Sequence, residues 1–263
     1  MLVLKATLYS SNFVFFGLGC GLMWSGVWLA SEADYVNLSQ LLHGSLPRPI
    51  LYYLTFAVII LGVVIASLAL LSCSAVALLN KLLFALFIFG IIVLLIGESA
   101  LIIFVAVTPK YLGLAIDKNQ LVDDWQRNYG VPGREQYTAA VDYMQSVYSC
   151  CGVVSGKDFV TSWWKLRELA APDLVVPLSC CKQLPHHTHL DPLPANQTAC
   201  QDEDLEVHRT ARFIESCSDP LKIWLDSNIY RMLKYSLFCI LYQLYILLSS
   251  IYGCLQFFSK NKS

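Results

Sequence analysis

The doublet Cys150-Cys151, followed by Gly152, decides the architecture of this chain. Two adjacent cysteines cannot bridge to each other without strain, so each needs a partner elsewhere. Four further cysteines follow before the next long apolar segment: Cys180, Cys181, Cys200 and Cys217. An even set of cysteines in the one large polar region of a chain indicates a disulfide framework that forms in an oxidising compartment.

The composition is that of a membrane protein. Of the 263 residues, 56% are hydrophobic and only 14% are charged, whereas an average soluble domain has roughly 25% charged residues. Most of the charged residues lie between positions 109 and 234. The net charge of -1 gives no indication of nucleic-acid binding.

Four apolar segments have about the 20-residue length that a bilayer core requires. They are residues 13–30, 50–79, 82–107 and 235–258. A cleaved signal peptide is the alternative for the first segment, but its long apolar run and the lack of a small-x-small cleavage site favour a retained helix. The sequence therefore predicts an all-α membrane protein with four transmembrane helices, a small outer loop, and a large, disulfide-linked, mostly helical outer loop.

An even number of spans places both termini on one side of the membrane. Four lysines lie on that side, against Arg48 in the short loop opposite, so the positive-inside preference predicts cytoplasmic termini: Lys5, Lys81, Lys260 and Lys262. In this topology 1–107 comprises the N-terminus, the first three helices and the small extracellular loop. Residues 108–232 form the large extracellular loop, and 233–263 form the fourth helix and a short cytoplasmic tail.

Each side of the membrane has candidate modification sites. Asn37 and Asn196 each precede a hydroxyl residue by two positions on the outer side, which predicts N-glycosylation. Cys73 and Cys254 lie near the cytoplasmic ends of the second and fourth spans, where S-palmitoylation occurs. For Cys73, the alternative is simple packing against the first span.

Three polar residues lie within or at the ends of the spans: Asn12, Glu98 and Gln243. Glu98 precedes the outer end of the third span by about ten residues, and Gln243 follows the outer start of the fourth by about ten. Since the rise per residue is constant, both lie at a similar height, which predicts an interhelical hydrogen bond. The alternative, a proton or ion relay, normally needs several ionisable groups.

Small residues at four-residue spacing predict that the first two spans approach closely. They are Gly17, Gly21 and Ser25 in the first span, with Gly62, Ala66, Ala69 and Cys73 in the second.

Amphipathic patterns predict helices on both sides of the cysteine region. One runs from Tyr111 to Tyr129 as a continuation of the third span, and a second, antiparallel helix runs from Tyr137 to Cys151. A third begins near Ser218 and continues into the fourth span.

The segment between Gly152 and Cys217 has a weaker pattern and several prolines. Because it has too little regular structure to bury every aromatic side chain, we expect it to form the partner-binding surface. The predicted contact residues are Phe159, Trp163, Trp164 and Leu166. The alternative is that one of the two tryptophans closes the small core beneath the disulfides.

Taken together, these features resemble the tetraspanin family over the whole chain. The matching elements are Cys150-Cys151-Gly152, the run Pro177-Leu178-Ser179-Cys180-Cys181, Cys217 before the fourth span, and the intramembrane polar trio. Six loop cysteines match the members with three disulfides. The resemblance implies the pairs Cys150–Cys217, Cys151–Cys180 and Cys181–Cys200.

The resemblance also implies a function. Tetraspanins are non-catalytic membrane organisers, so we expect lateral association with other tetraspanins and with adhesion receptors, proteases or signalling receptors, in plasma or endosomal-lysosomal membranes. No cofactor is expected, although a sterol or another lipid fits the space that family members enclose between their helices. The alternative is a membrane-embedded enzyme or transporter subunit that uses Glu98. The cysteines lack CxxC spacing, which argues against a zinc site.

Overall fold

The computed structural model describes residues 2–42, 48–109 and 112–259. Its helices, in chain order, are α1 Leu2–Ser31, α2 Ala33–Gln40, α3 Ile50–Leu78, α4 Lys81–Val107, α5 Lys118–Asn128, α6 Glu135–Tyr148, α7 Trp163–Leu166, α8 Gln197–Gln201, α9 Leu205–His208 and α10 Ser218–Ser259. Two short 3₁₀ helices, Gly156–Phe159 and Leu178–Cys180, complete the set. The described residues contain isolated β-bridges but no strand, and α1, α3, α4 and α10 are long and apolar enough to cross a membrane. The predicted all-α fold with four spans is confirmed.

The chain forms two compact units. The four-helix unit comprises Met1–Ser31, Tyr53–Thr108 and Ile229–Ser263, and the disulfide unit comprises Glu32–Tyr52 and Pro109–Asn228. The sequence-based division had grouped the small loop with the first three spans. In the structure this loop belongs with the large one, because α2 packs along α6.

The four-helix unit has two buried apolar clusters. One contains Leu8, Ala75, Val76, Phe84 and Phe257, and the other contains Phe15, Ile65, Ala69, Phe87, Ile91 and Ile246. Each cluster draws side chains from all four long helices. Burial of these apolar residues therefore holds the helices together as one bundle.

Close packing of α1 against α3 uses glycines other than those predicted on α1. A Cβ at Gly19 would lie 2.7 Å from the Ala66 nitrogen, and one at Gly62 would lie 2.7 Å from the Gly19 oxygen. The predicted contact face of α1 is wrong. An added Cβ at Gly17 or Gly21 would have no atom of another helix within 4 Å, and both residues are exposed. The α3 positions Gly62 and Ala66 were predicted correctly.

Two helix boundaries differ from the sequence-based expectation. α1 begins at Leu2, so most of the expected N-terminal tail is helical. The helix predicted to continue from the third span is interrupted between Val107 and Lys118. Pro109 cannot continue the hydrogen bonding of α4, and Gly113 adopts a left-handed φ of 68°. Tyr111, part of the predicted helical face, lies outside the described residues.

Candidate functional site

Three disulfides define the core of the disulfide unit. They join Cys150 to Cys217, Cys151 to Cys180, and Cys181 to Cys200, which are the pairs that the family resemblance implied. All six cysteines are fully buried. The two bonds of the doublet tie the end of α6 both to the start of α10 and to the 3₁₀ helix at Leu178–Cys180.

Backbone geometry explains how the doublet serves two partners. Ser149 ends α6 in the left-handed region with a φ of 54°, and Gly152 takes a φ of 72° where an added Cβ would overlap the Ser155 carbonyl. Between these turns the Cys151 amide donates to the Glu215 carbonyl at 2.9 Å. The Cys217 amide donates to the Gly152 carbonyl, also at 2.9 Å, so the doublet is fixed to the base of α10 by hydrogen bonds as well as by a disulfide.

Two of the four predicted partner-contact residues are core residues. Phe159 is 2% exposed and Trp164 is 8% exposed. Both rings meet Tyr129 edge-on, with centroid distances of 5.1 Å for Phe159 and 5.5 Å for Trp164. Their assignment to the binding surface is wrong, because the α5 aromatics provide a packing site that the sequence did not reveal. Gly130 lies beside this site, and a Cβ added there would overlap Cδ1 of the Trp164 ring, so a larger residue would not fit.

The other two residues of that set lie on the surface. Trp163 is 37% exposed and Leu166 is 66% exposed, three residues apart on the single turn of α7. The Arg167 guanidinium stacks on the Trp163 ring at 4.0 Å from its centroid. We call Trp163, Leu166 and Arg167 the α7 surface.

Side chains that sequence reasoning missed hold the inserted segment in place. The Gln201 carboxamide oxygen accepts from the Val175 and Val176 amides at 2.7 and 2.9 Å. The buried Arg212 donates to the Cys200 and Asp202 carbonyls at 2.7 and 3.0 Å. Both residues sit in polar stretches without periodicity, so the sequence carries no signal that would have singled them out.

The small loop forms a further part of the site. Asp34 of α2 accepts hydrogen bonds from the hydroxyls of Tyr143 and Tyr148 on α6. Burial and the neighbouring Asp34 carboxylate raise the pKa of Tyr148 to about 12, so this phenol remains a donor at physiological pH. Leu38 and Leu41 of the same loop are part of the core of the disulfide unit.

A buried polar cluster connects α6 with the cysteine run. Asp142 accepts from the Tyr129 hydroxyl at 2.9 Å and lies 2.6 Å from the Ser179 hydroxyl, and Ser179 lies 2.6 Å from the Gln145 amide oxygen. Burial raises the pKa of Asp142 to about 6, although the hydrogen bonds from Ser179 and Tyr129 oppose this shift. No sequence pattern had pointed to this cluster.

Within the four-helix unit, the predicted contact between Glu98 and Gln243 is present. The Gln243 amide donates to a Glu98 carboxyl oxygen at 2.8 Å. The third member of the trio, Asn12, is fully buried and donates to the Leu8 carbonyl of its own helix at 2.7 Å.

The predicted modification sites occupy different environments. Asn196 is exposed, and its side-chain oxygen caps α8 by accepting from the Ala199 amide at 3.0 Å. Asn37 is half-buried on α2. Cys73 and Cys254 are half-buried and form no disulfide. A free thiol is compatible with acylation but does not demonstrate it, and palmitoylation of both residues stays a prediction. Among the described residues, no three His, Cys, Asp or Glu side chains are grouped closely enough to hold a metal ion.

Together, the fold and the site define a multi-pass membrane protein with a three-disulfide helical unit between its third and fourth spans. The chain belongs to the tetraspanin family, whose family model matches residues 4–256. It is 31% identical over 182 residues to the CD151 antigen of Chlorocebus aethiops, covering 68% of each chain. It is also 31% identical over 184 residues to human Tetraspanin-11, covering 69% of each chain. Human Tetraspanin-4 is 24% identical over 230 residues, which cover 86% of this chain and 81% of that protein.

Membership in this family establishes the coarse function. The protein is an integral, multi-pass membrane protein. The family implies a membrane organiser or scaffold, and its members generally interact with other membrane proteins and with other tetraspanins.

Proposed function

We propose that this protein is a non-catalytic organiser of membrane microdomains that recognises its partner membrane proteins through residues 153–216 of the disulfide unit. Family membership supports the organiser role. The observation that carries the recognition site is the exposed α7 surface, which lies on a segment tied to the scaffold by the disulfides Cys151–Cys180 and Cys181–Cys200.

The chemistry of the α7 surface suits protein recognition. Tryptophan and arginine are enriched at binding hot spots, because they bring large contact area and several hydrogen-bond donors. The stacked Arg167 restricts the rotamers of Trp163, which reduces the entropy lost on binding. Phe159 and Trp164 lie within the core, so the surface is backed by packed aromatic side chains.

The proposed topology places the disulfide unit outside the cytoplasm and both termini inside. Three disulfides require an oxidising compartment for their formation. The plasma membrane and endosomal-lysosomal membranes both meet this requirement, because the proteins they carry fold in the secretory pathway. N-glycosylation of Asn196 follows from the same topology, and so does palmitoylation of Cys73 and Cys254 on the opposite side.

A sterol or another lipid with a hydroxyl group is the proposed ligand of the four-helix unit. Three buried oxygens of the intramembrane polar trio have no hydrogen-bond partner among the described residues: Oδ1 of Asn12, Oε2 of Glu98 and Oε1 of Gln243. A hydroxyl group would supply the donor that such buried acceptors require. Crosslinking with a photoreactive sterol tests this proposal: Asn12→Leu should reduce labelling, and unchanged labelling would contradict it.

The recognition site is tested by a double variant of α7. Trp163→Ala together with Leu166→Ala should reduce partner recovery about fivefold or more after crosslinking on intact cells, since truncation of a hot spot costs over about 1 kcal/mol. The matched control is Ile223→Ala on α10, outside residues 153–216, where the side chain is 70% exposed and recovery should stay at the wild-type level. Equal recovery from the α7 variant and the control would exclude this surface as the recognition site.

A further inference from the structure

We infer that Asn12, Ser72 and Ser250 bind one internal water molecule in the middle of the four-helix unit. The three residues lie on three different spanning helices, α1, α3 and α10, and none is more than 1% exposed. Each has a buried oxygen without a hydrogen-bond partner among the described residues, namely Asn12 Oδ1, Ser72 Oγ and Ser250 Oγ. Because an unpaired buried polar group is costly, these oxygens require a ligand that forms hydrogen bonds. The site is independent of partner recognition by the disulfide unit.

The hydroxyl groups of Ser72 and Ser250 differ from those of neighbouring serines on the same helices. On α3, the exposed Ser67 and Ser74 each donate to the carbonyl four residues earlier, at 2.8 and 3.0 Å. On α10, Ser249 donates in the same way at 2.8 Å. A serine in a helix commonly satisfies its hydroxyl through this bond. Within the described part of the chain, Ser72 and Ser250 make no such bond, so their hydroxyl hydrogens are available to another group in the core.

The contact between α1 and α3 places Asn12 and Ser72 at one height in the bundle. Later residues of α1 meet earlier residues of α3, so the two helices are antiparallel. A Cβ added at Gly19 would lie 2.7 Å from the Ala66 nitrogen. Asn12 lies seven residues before Gly19, a distance of about 10 Å along α1. Ser72 lies six residues after Ala66, about 9 Å towards the same end of the bundle, so the heights of Asn12 and Ser72 differ by only about 1–2 Å.

The contact between α1 and α10 brings Ser250 into the same layer. The two apolar clusters pair later residues of α1 with earlier residues of α10, so these helices are also antiparallel. A Cβ added at Gly253 would lie 2.8 Å from Cδ1 of Leu8. Asn12 follows Leu8 by four residues, a rise of about 6 Å, and Ser250 precedes its contact residue by three, a rise of about 4.5 Å. Because each Cα–Cβ bond tilts towards the N-terminus of its own helix, Asn12 and the two serines tilt towards one another.

Packed apolar side chains enclose this layer from both ends of the bundle. On each of the three helices, the polar residue separates a member of one buried cluster from a member of the other. These pairs are Phe15 and Leu8 on α1, Ala69 and Ala75 on α3, and Ile246 and Phe257 on α10. Since close-packed clusters leave space only for a small molecule, the ligand with the required hydrogen-bonding groups is a single water molecule.

A water molecule satisfies all three oxygens at once. The Asn12 amide nitrogen donates to the Leu8 carbonyl, so Oδ1 is the acceptor that needs a donor. Water donates one hydrogen to Asn12 Oδ1 and accepts from the Ser72 and Ser250 hydroxyls. About three hydrogen bonds are typical of a buried water molecule in proteins. The Oδ1 atom has two lone pairs, so one remains for the lipid hydroxyl proposed above.

The structure of the full-length protein in sterol-free lipid nanodiscs, at a resolution that shows ordered water, tests the site directly. Density for one water molecule should lie about 2.5–3.0 Å from Asn12 Oδ1 and from both serine oxygens. Absence of this density, or direct hydrogen bonds between the three side chains, would overturn the proposal. Density that forms only after a sterol is added would assign the layer to a lipid hydroxyl and would overturn the proposal as well.

The sign of the change in stability gives a second readout. If water links these hydroxyls, Ser72→Ala breaks a hydrogen bond, and the equilibrium constant for unfolding in mixed micelles should rise about threefold relative to the control Ser74→Ala. The control lies on the same helix and its exposed hydroxyl bonds to its own backbone, so the change in helix propensity cancels. Removal of a hydroxyl without a partner would instead lower the constant, because a buried unpaired group is lost. An equal or lower constant for Ser72→Ala than for the control therefore excludes the water site.

A double variant shows whether the two serines share one molecule. Ser250→Ala alone should raise the unfolding constant about threefold relative to its own control, Ser249→Ala. Since the first substitution already weakens the binding of the shared water, Ser72→Ala/Ser250→Ala should raise the constant by less than the product of the two single effects. Single effects that multiply would show that the hydroxyls have separate partners and would contradict a single bound water molecule.

Discussion

The contact between α1 and α3 gives the sharpest test of the four-helix unit, through the substitution Gly19→Ala. The new Cβ would lie 2.7 Å from the Ala66 nitrogen and 2.8 Å from the Gly62 oxygen. Both are backbone atoms, so no side-chain rotation relieves the overlap. The helices must instead move apart by about 0.7 Å to restore an ordinary contact of about 3.4 Å or more.

The expected cost follows from this separation. Overpacking of a well-packed core typically costs about 1–3 kcal/mol. Replacing glycine by alanine inside a helix also has an intrinsic benefit of up to about 1 kcal/mol, which partly hides the cost. Gly17→Ala, two residues away on the outward face, should show this benefit alone, because no such atom lies within 4 Å of its added Cβ. The difference between the two variants isolates the overpacking.

The assay is reversible unfolding in mixed micelles, with both variants measured against the wild type. Gly19→Ala should be less stable than Gly17→Ala by about 1–3 kcal/mol. If the two free energies of unfolding agree within about 0.5 kcal/mol, the overpacking term is absent, and α1 does not meet α3 through Gly19.

Three further predictions concern the cysteines and the candidate glycan. The double variant Cys181→Ser/Cys200→Ser opens a 19-residue loop and should destabilise the disulfide unit by about 3 kcal/mol in a denaturant titration; an unchanged midpoint would contradict the assigned role of this bond. In acyl-exchange labelling, the Cys73→Ser/Cys254→Ser double variant should lose nearly all label, and full retention would place palmitoylation elsewhere. Asn196→Gln should remove one glycan-dependent shift on gels, because the exposed site lies on the proposed outer side; an unaltered shift would count against glycosylation there.

The sequence predicts those features that depend on helix length and rise. Hydropathy located all four spans, because a bilayer demands long apolar helices. Counting residues from the span ends brought Glu98 and Gln243 to one height, and the structure joins them. The cysteine pairs came from the family resemblance, since spacing alone does not determine which of six cysteines are joined.

The sequence fails where two environments look alike. Lipid and protein neighbours are equally apolar, so a glycine stripe on α1 does not reveal which face meets another helix. For that reason the sequence pattern predicts Gly17 and Gly21, whereas Gly19 makes the contact in the structure. The burial of Phe159 and Trp164 is not visible in the sequence, because their packing partner, Tyr129 at the end of α5, lies in a distant segment of the chain. The attachment of α2 to α6 through Asp34 is likewise a contact between distant segments.

The most direct test of partner recognition by the disulfide unit exchanges the proposed recognition segment. Residues 153–216 would be replaced by the corresponding segment of another three-disulfide tetraspanin, and partners would be crosslinked in intact membranes and quantified. Correct pairing of the disulfides, checked by nonreducing peptide mapping, serves as the control for folding. If residues 153–216 hold the recognition site, the original partners should be lost and those of the donor protein should appear. Recovery of the original partners at unchanged yield would place recognition in the surrounding helices and contradict the proposed function of this segment.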